Sequence, residues 1–404
     1  MKIKSGGQNR MNMLFFLTIF FLLYGGMHFC AFLKTRSALA FSTNTGIYLG
    51  LFMLLMVLSP LIIRFSERLE LTFFARLMSY IGYTWMGVLF LFFSASVCMD
   101  IYHLLIYLAG TISHKNLSFL IPSVRLSFYL PLIFSLIIGI YGYYEALDIR
   151  TERVTIKTRK IPEEIGRLRI VQISDVHIGL IIREGRLNRL LREIKKADPD
   201  ILVSTGDLVD GQIDGLSEFA GLLKEISPKY GKFAITGNHE FYAGIGQTLD
   251  FTEKAGFKIL RGEGTTVAGL INVAGVDDPQ RKTYGLYKGV SERELLSKLP
   301  IGKFTLLLKH RPLIDKEALG LFDLQLSGHA HKGQIFPFSL ITWLFYRHTV
   351  HAGHLRLVDD SYLYVSRGSG TWGPPIRFLS PPEVTVIELV YDEKHQYGNK
   401  EINK

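Results

Sequence analysis

The sequence predicts a two-part chain: an N-terminal all-α region of four transmembrane helices, then an α/β domain. Three observations carry this. Four long apolar segments with few charges fill residues 1–150. From residue 167 onward, short runs rich in Val, Ile and Leu alternate with stretches of helical spacing, the pattern of βαβ units. Several of those short runs end in pairs drawn from Asp, Asn and His.

The composition agrees. The chain has 404 residues, room for two or three domains, and 48% of them are hydrophobic. A mean hydropathy of +0.22 is high for a soluble enzyme and implies an integral membrane part. Both cysteines, Cys30 and Cys98, lie in apolar stretches, so the polar half has neither a disulfide framework nor thiolate chemistry. The net charge of +10 is unevenly spread. Residues 1–150 hold 11 Lys/Arg against 5 Asp/Glu, and the remaining 254 residues hold 35 against 31. The basic excess is therefore densest in the membrane half, where it sets topology, and no nucleic-acid partner is expected.

The first predicted span covers residues 11–33, which contain no charge and exceed the roughly 20 residues a bilayer requires. Lys2, Lys4 and Arg10 ahead of it also fit a signal peptide, but further spans of the same kind follow. These are 46–63, 77–98 and 126–144. The third apolar stretch continues to Ala109 and includes Asp100 and His103, so its distal part either leaves the hydrocarbon or faces the bundle interior. Four spans put both ends of the bundle on one side. Arg64, Arg68 and Arg76 follow span two, and Arg150, Arg153, Lys157, Arg159 and Lys160 follow span four. The expectation is a multi-pass protein of the cell membrane with a cytoplasmic catalytic domain. A fifth span hidden in the long third segment would reverse that.

Residues 151–166 read as a polar connector with a strand-like start, 167–392 as the folded domain and 393–404 as a polar tail. Within the domain, strands are expected at 169–174, 201–205, 232–236, 304–308 and 324–326. Leu187, Leu190, Leu191 and Ile194 recur at helical spacing, and a second helix is expected over 216–226. Short β runs fill 256–276, and 363–389 is again β.

The strand ends carry the chemistry. Asp175 and His177 follow the first strand, Asp207 the second, Asn238 and His239 the third, His310 a later one, and His329 and His331 the last. Any one of these is ambiguous, because a polar residue after a strand is more often a cap or a solvated turn. Asp175, His177, Asp207, Asn238, His310, His329 and His331 together place seven N/O donors at strand carboxyl ends, which line the ligand crevice of open α/β sheets. Such a set suits two divalent transition metals, whereas oxygen alone would suit Mg or Ca.

The series Asp175-Val-His177, Gly206-Asp207, Gly237-Asn238-His239-Glu240, Lys309-His310 and Gly328-His329-Ala-His331 resembles the calcineurin-like metallophosphoesterase superfamily over about residues 167–390. Gly333-Gln334-Ile-Phe-Pro337, the stretch Val365–Arg377, and Pro382-Glu383 resemble its membrane-associated bacterial branch, related to UDP-diacylglucosamine hydrolases. The resemblance implies a four-layer αββα sandwich and two divalent metal ions (Mn, Fe or Zn). It implies Asp175, His177 and His331 on one metal, Asn238, His310 and His329 on the other, and Asp207 bridging. A carboxylate suits the bridge because paired catalytic metals sit about 3.5–4 Å apart. His239 would be the catalytic side chain that protonates the leaving oxygen. The implied reaction is attack of a metal-activated hydroxide on a phosphodiester or pyrophosphate. The implied partners are the lipid bilayer and a phosphorylated substrate, with a lipid-linked one favoured by the membrane half. A nuclease or cyclic-nucleotide phosphodiesterase is the alternative enzyme. An inactive receptor or scaffold on the same fold is the alternative class, against which the full donor set weighs.

Other residues are less telling. His348, His351 and His354 fit a solvated or membrane-facing strand edge better than a further metal site. Arg367 and Arg377 fit phosphate contacts and structural ion pairs equally. Asp277-Asp278 reads as a turn. The apolar run 335–346 is either core packing or a wall or membrane-dipping loop.

Overall fold

The computed structural model describes residues 4–211, 216–284, 289–358, 361–393 and 402–403. Most of the expected tail, 393–404, lies outside them. The chain divides into two compact units, 1–143 with 373–376, and 144–372 with 377–404.

The first unit is helical. Its elements are α1 (Lys4–Leu39), α2 (Thr43–Arg68), α3 (Thr72–Ser113) and α4 (Val124–Glu145). All four are long and apolar enough to cross a membrane. The third expected span is one continuous 42-residue helix, with no break that would create a fifth. At about 1.5 Å per residue it is roughly twice the length a bilayer core requires. Asp100 on its distal half pairs with Lys34 of α1 at 2.7 Å, and His103 meets Ser127 of α4 at 3.3 Å. These polar side chains are therefore partnered between helices.

The second unit is built on two mixed sheets. Its chain order is β1 (Arg150–Thr158), β2 (Arg167–Ile173), α5 (Glu184–Ala197), β3 (Ile201–Ser204), α6 (Ser217–Lys224), β4 (Lys232–Ala234), α7 (Asn238–Ala243), α8 (Ile245–Lys254), β5 (Lys258–Ile259), β6 (Glu263–Val267) and β7 (Ile271–Gly275). There follow α9 (Glu292–Leu296), β8 (Phe304–Leu308), β9 (Leu324–Ser327), α10 (Phe338–Phe345), β10 (Gly353–Arg356), β11 (Tyr362–Val365), β12 (Glu383–Tyr391) and the two-residue β13 (Ile402–Asn403). The first sheet runs β13-β1-β12-β2-β3-β4-β5 and the second β10-β11-β9-β8-β7-β6. β2, β3 and β4 are mutually parallel, as are β7, β8 and β9.

The strand-like start expected of the polar connector is β1, which runs parallel to β12 in register from Arg150↔Glu383 to Thr158↔Tyr391 and so belongs to the sheet. Its alternating side chains explain this, because Val154 and Ile156 are buried in the inter-sheet core. That core joins Ile170, Val203 and Phe233 of the first sheet to Val273, Leu306 and Leu326 of the second. Leu307 points the other way, as the period of two requires, and packs with Leu295 and Leu296 of α9. On the far side α5 buries Leu187, Leu190, Leu191 and Ile194 against β12 and β1. Each such burial contributes about 1.5–3 kcal/mol. The layers are thus helix, sheet, sheet, helix, as expected.

Candidate metal centre

The site forms where the carboxyl ends of both sheets meet. β2 delivers Asp175 and His177, β3 delivers Asp207, and β4 leads into Asn238 and His239 at the start of α7. From the second sheet, β8 delivers His310 and β9 delivers His329 and His331. Backbone bonds knit these ends together: Asp175 N donates to Gly206 O (3.0 Å), His177 N to Asp207 O (3.0 Å) and Gly328 N to His310 O (2.9 Å).

The backbone there is strained. Asp175, His177, Asp207, His329 and His331 have φ between 47° and 69°. Side-chain-bearing residues seldom adopt this left-handed region, and clusters of such residues mark functional sites. Glycine permits the close approach at two points. A Cβ on Gly237 would fall 2.1 Å from Asp207 Oδ1, and one on Gly328 would fall 2.2 Å from Asp175 Oδ2.

The donor atoms converge in two groups. His331 Nε2 lies 3.1 Å from His177 Nε2 and 3.4 Å from Asp175 Oδ1. His310 Nε2 lies 3.1 Å from His329 Nδ1 and 3.2 Å from Asn238 Oδ1. Asp207 Oδ2 stands between, 3.1 Å from His310 Nε2 and 3.9 Å from His177 Nε2. Metal–ligand bonds of about 2.0–2.2 Å put neighbouring donors roughly 3.0–3.4 Å apart, so the spacing fits divalent cations. All seven predicted ligands are therefore brought together.

Their protonation also fits. His310 Nδ1 faces Thr205 O at 2.8 Å and donates to it, leaving Nε2 toward the site. Burial, then the neighbouring His239, lowers His177 to about 4. Burial, then His310, lowers His329 to about 3. Burial also holds His331 well below the ordinary value, reinforced by His177 and Arg377. Neutral imidazoles are what a metal takes as ligands. Burial opposes charge on Asp207 and His310, yet their attraction wins: Asp207 is held well below the usual carboxylate range and His310 is pushed up to about 10. Asp207 thus demands positive charge beside it.

His239 is set differently. Its backbone N–H donates to Asp207 Oδ1 at 2.8 Å, and its Nδ1 bonds Asp210 Oδ1 at 2.8 Å. Burial pulls its pKa down, but Asp207, Asp210 and that hydrogen bond outweigh burial and raise it to about 9. The sequence reading missed Asp210. It sits three residues after Asp207 in Gly206-Asp207-Leu-Val-Asp210, and that spacing was the available signal. Glu240 was also left without a role. It accepts from the backbone N–H of Asp207 (3.0 Å), Leu208 (2.8 Å) and Gly237 (2.7 Å), pinning two ligand loops together.

The sequence profile described as calcineurin-like phosphoesterase matches residues 168–333. A metallophosphoesterase of Aquifex aeolicus is 41% identical over 257 residues, 63% of this chain and 97% of the relative. The chain belongs to the calcineurin-like phosphoesterase family. Another metallophosphoesterase, from Campylobacter jejuni, is 33% identical over 324 residues, 77% of this chain and 83% of its own. A Danio rerio relative called a transmembrane protein with metallophosphoesterase domain is 30% identical over 272 residues, 64% of this chain and 62% of the relative.

In this calcineurin-like phosphoesterase Arg367, Arg377, Asp277 and Asp278 have structural partners. Arg377 is fully buried. It donates to the carbonyls of Gly370 (2.9 Å), Arg367 (2.7 Å) and Ser380 (2.9 Å), so it braces the loop under the site and is not a phosphate contact. Its Nη2 also faces His331 Nδ1 at 3.2 Å. Arg367 pairs with Glu152 and Glu383. Asp277 pairs with Arg261 at 2.9 Å and Asp278 with Arg311 at 2.7 Å, consistent with a turn. Among the described residues, His348, His351 and His354 belong to no cluster that could hold a metal.

Proposed function

We propose that the chain is a membrane-anchored phosphoesterase that hydrolyses a phosphodiester or pyrophosphate bond with two divalent cations. One observation carries the reading: the Asp207 carboxylate, buried and ionised, stands between His177 on one side and His310 on the other. Asp175, His177 and His331 would complete one cation's shell, and Asn238, His310 and His329 the other's. When bound, the cations would supply an acidified water and offset charge on the phosphate oxygens. His239, held protonated by Asp207 and Asp210, would give its proton to the leaving oxygen. Asp210 fixes the ring by its hydrogen bond to Nδ1, which leaves Nε2 as the donating end.

The four apolar helices support a multi-pass anchor in the cell membrane, and the arginines and lysines after spans two and four support a cytoplasmic domain. A substrate with a lipid-linked phosphate fits that placement. The near balance of charge over residues 151–404 weighs against nucleic acid.

The test is hydrolysis of a water-soluble aryl phosphodiester by the full chain with Mn²⁺. Asp207→Ala and Asn238→Ala should each abolish turnover while thermal unfolding stays cooperative. Wild-type turnover in both variants would contradict the reading.

A further inference from the structure

The apolar run after His331 is neither core nor loop. It is α10, an eight-residue helix with no buried residue. Phe338, Leu340, Ile341, Trp343, Leu344 and Phe345 are all exposed, Phe345 at 82%. With Phe336 they are seven of the fifteen large exposed hydrophobics among the described residues after 150; the others are scattered. Monomeric soluble proteins seldom expose such a contiguous patch.

The chemistry of the run matches the boundary of a bilayer better than a protein partner. No charge occurs from Gly333 to Tyr346, and Lys332 precedes the run while Arg347 and His348 follow it. Basic flanks suit anionic headgroups, and Trp343 and Tyr346 are the residue types that favour the headgroup level. Thr342 donates its hydroxyl to Phe338 O within the helix at 2.9 Å, so that polar atom is satisfied without water. The bilayer is also at hand by covalent connection, because only residues 146–149 separate the last apolar helix from β1.

The position of α10 ties it to the metal centre. A Cβ on Gly333, two residues after His331, would fall 2.5 Å from Ser339 Cα and 2.5 Å from Thr342 Oγ1. The helix therefore lies directly on the turn that carries this ligand. Tyr346 at its end is half-buried.

We propose that α10 inserts into the headgroup–acyl boundary of the membrane and sets the mouth of the metal centre against the lipid surface. This rests on the phosphoesterase reading for its purpose but not for its test. The full chain is reconstituted in nanodiscs of phosphatidylcholine and phosphatidylglycerol, with and without brominated acyl chains, and tryptophan emission is compared with that of Trp343→Phe. The emission component that Trp343→Phe lacks should fall about twofold or more with brominated lipid. Leu344→Glu with Phe345→Glu should remove that quenching, and should lower the ratio of turnover on a lipid-borne phosphoester to turnover on the soluble aryl ester by about tenfold. A Trp343 component indifferent to bromination would overturn the proposal. So would one that responds only to protein concentration, which would assign the face to a second copy of the chain. Quenching requires no turnover, so quenching in a protein inactive on the aryl ester would refute the phosphoesterase reading alone.

Discussion

Asp210 Oδ1 lies 2.8 Å from His239 Nδ1, and Asp210 Oδ2 lies 4.0 Å from Nδ1 of His177. Neither Asp210 nor His239 is among the seven convergent ligands, yet His239 is tied by its backbone to Asp207. The hydrogen bond fixes the ring and stabilises its charged form.

Asp210→Asn keeps the shape and removes that charge. Turnover should fall by about tenfold to a hundredfold, within the range of a positioned general acid. His239 is raised to about 9, so its proton is present below that pH and is lost above it. The alkaline limb of kcat should therefore move to lower pH in Asp210→Asn. A pH–rate profile checks this, and an unmoved limb would remove Asp210 from the account.

Glu240 makes a different claim. Its carboxylate accepts from three buried backbone N–H groups on two loops. Glu240→Ala leaves them without partners and should cost at least about 2 kcal/mol of stability, since each orphaned buried donor costs about 1–3 kcal/mol. Chemical denaturation of the full chain in detergent reads the change directly.

Gly237→Ala tests the closeness of the loops. The added methyl would meet Asp207 Oδ1, so turnover should fall more than about a hundredfold, as displacement of a reacting constellation by about 1 Å does. Gly185→Ala in α5 meets nothing within 4 Å. It should leave turnover unchanged and raise stability by about 0.5–1 kcal/mol.

Much of this was legible in the sequence because strand periodicity and strand-end polarity are local signals. Ile170, Ile173, Ile201 and Val203 announced buried strands, and the polar residues after them announced the site. The missing parts are those fixed by tertiary partners. The strand-like start of the polar connector was legible over residues 153–157, but only the pairing with β12 shows that it belongs to the sheet and which face is covered. The buried brace role of Arg377 depends on how its loop folds back on itself to bring the carbonyls of Arg367 and Ser380 to one guanidinium. The exposure of α10 could not be read from composition, because an apolar run looks the same in a core and at a lipid surface.

Topology gives a further outcome. The third apolar segment is one helix, so four crossings are expected and the two ends of the bundle share a side. A green fluorescent protein fused to the C-terminus should fluoresce in the cytoplasm, and an alkaline phosphatase fusion should be inactive. The reverse pattern would move the catalytic domain across the membrane.

The most direct test of the central claim is elemental analysis of metal bound to the purified full chain after equilibration with Mn²⁺ and removal of free ion. Two donor groups sharing Asp207 predict about two ions per chain, falling below about one in Asp207→Ala because the shared ligand serves both. Wild-type protein that retains no metal, or an Asp207→Ala variant that retains two ions, would contradict the account.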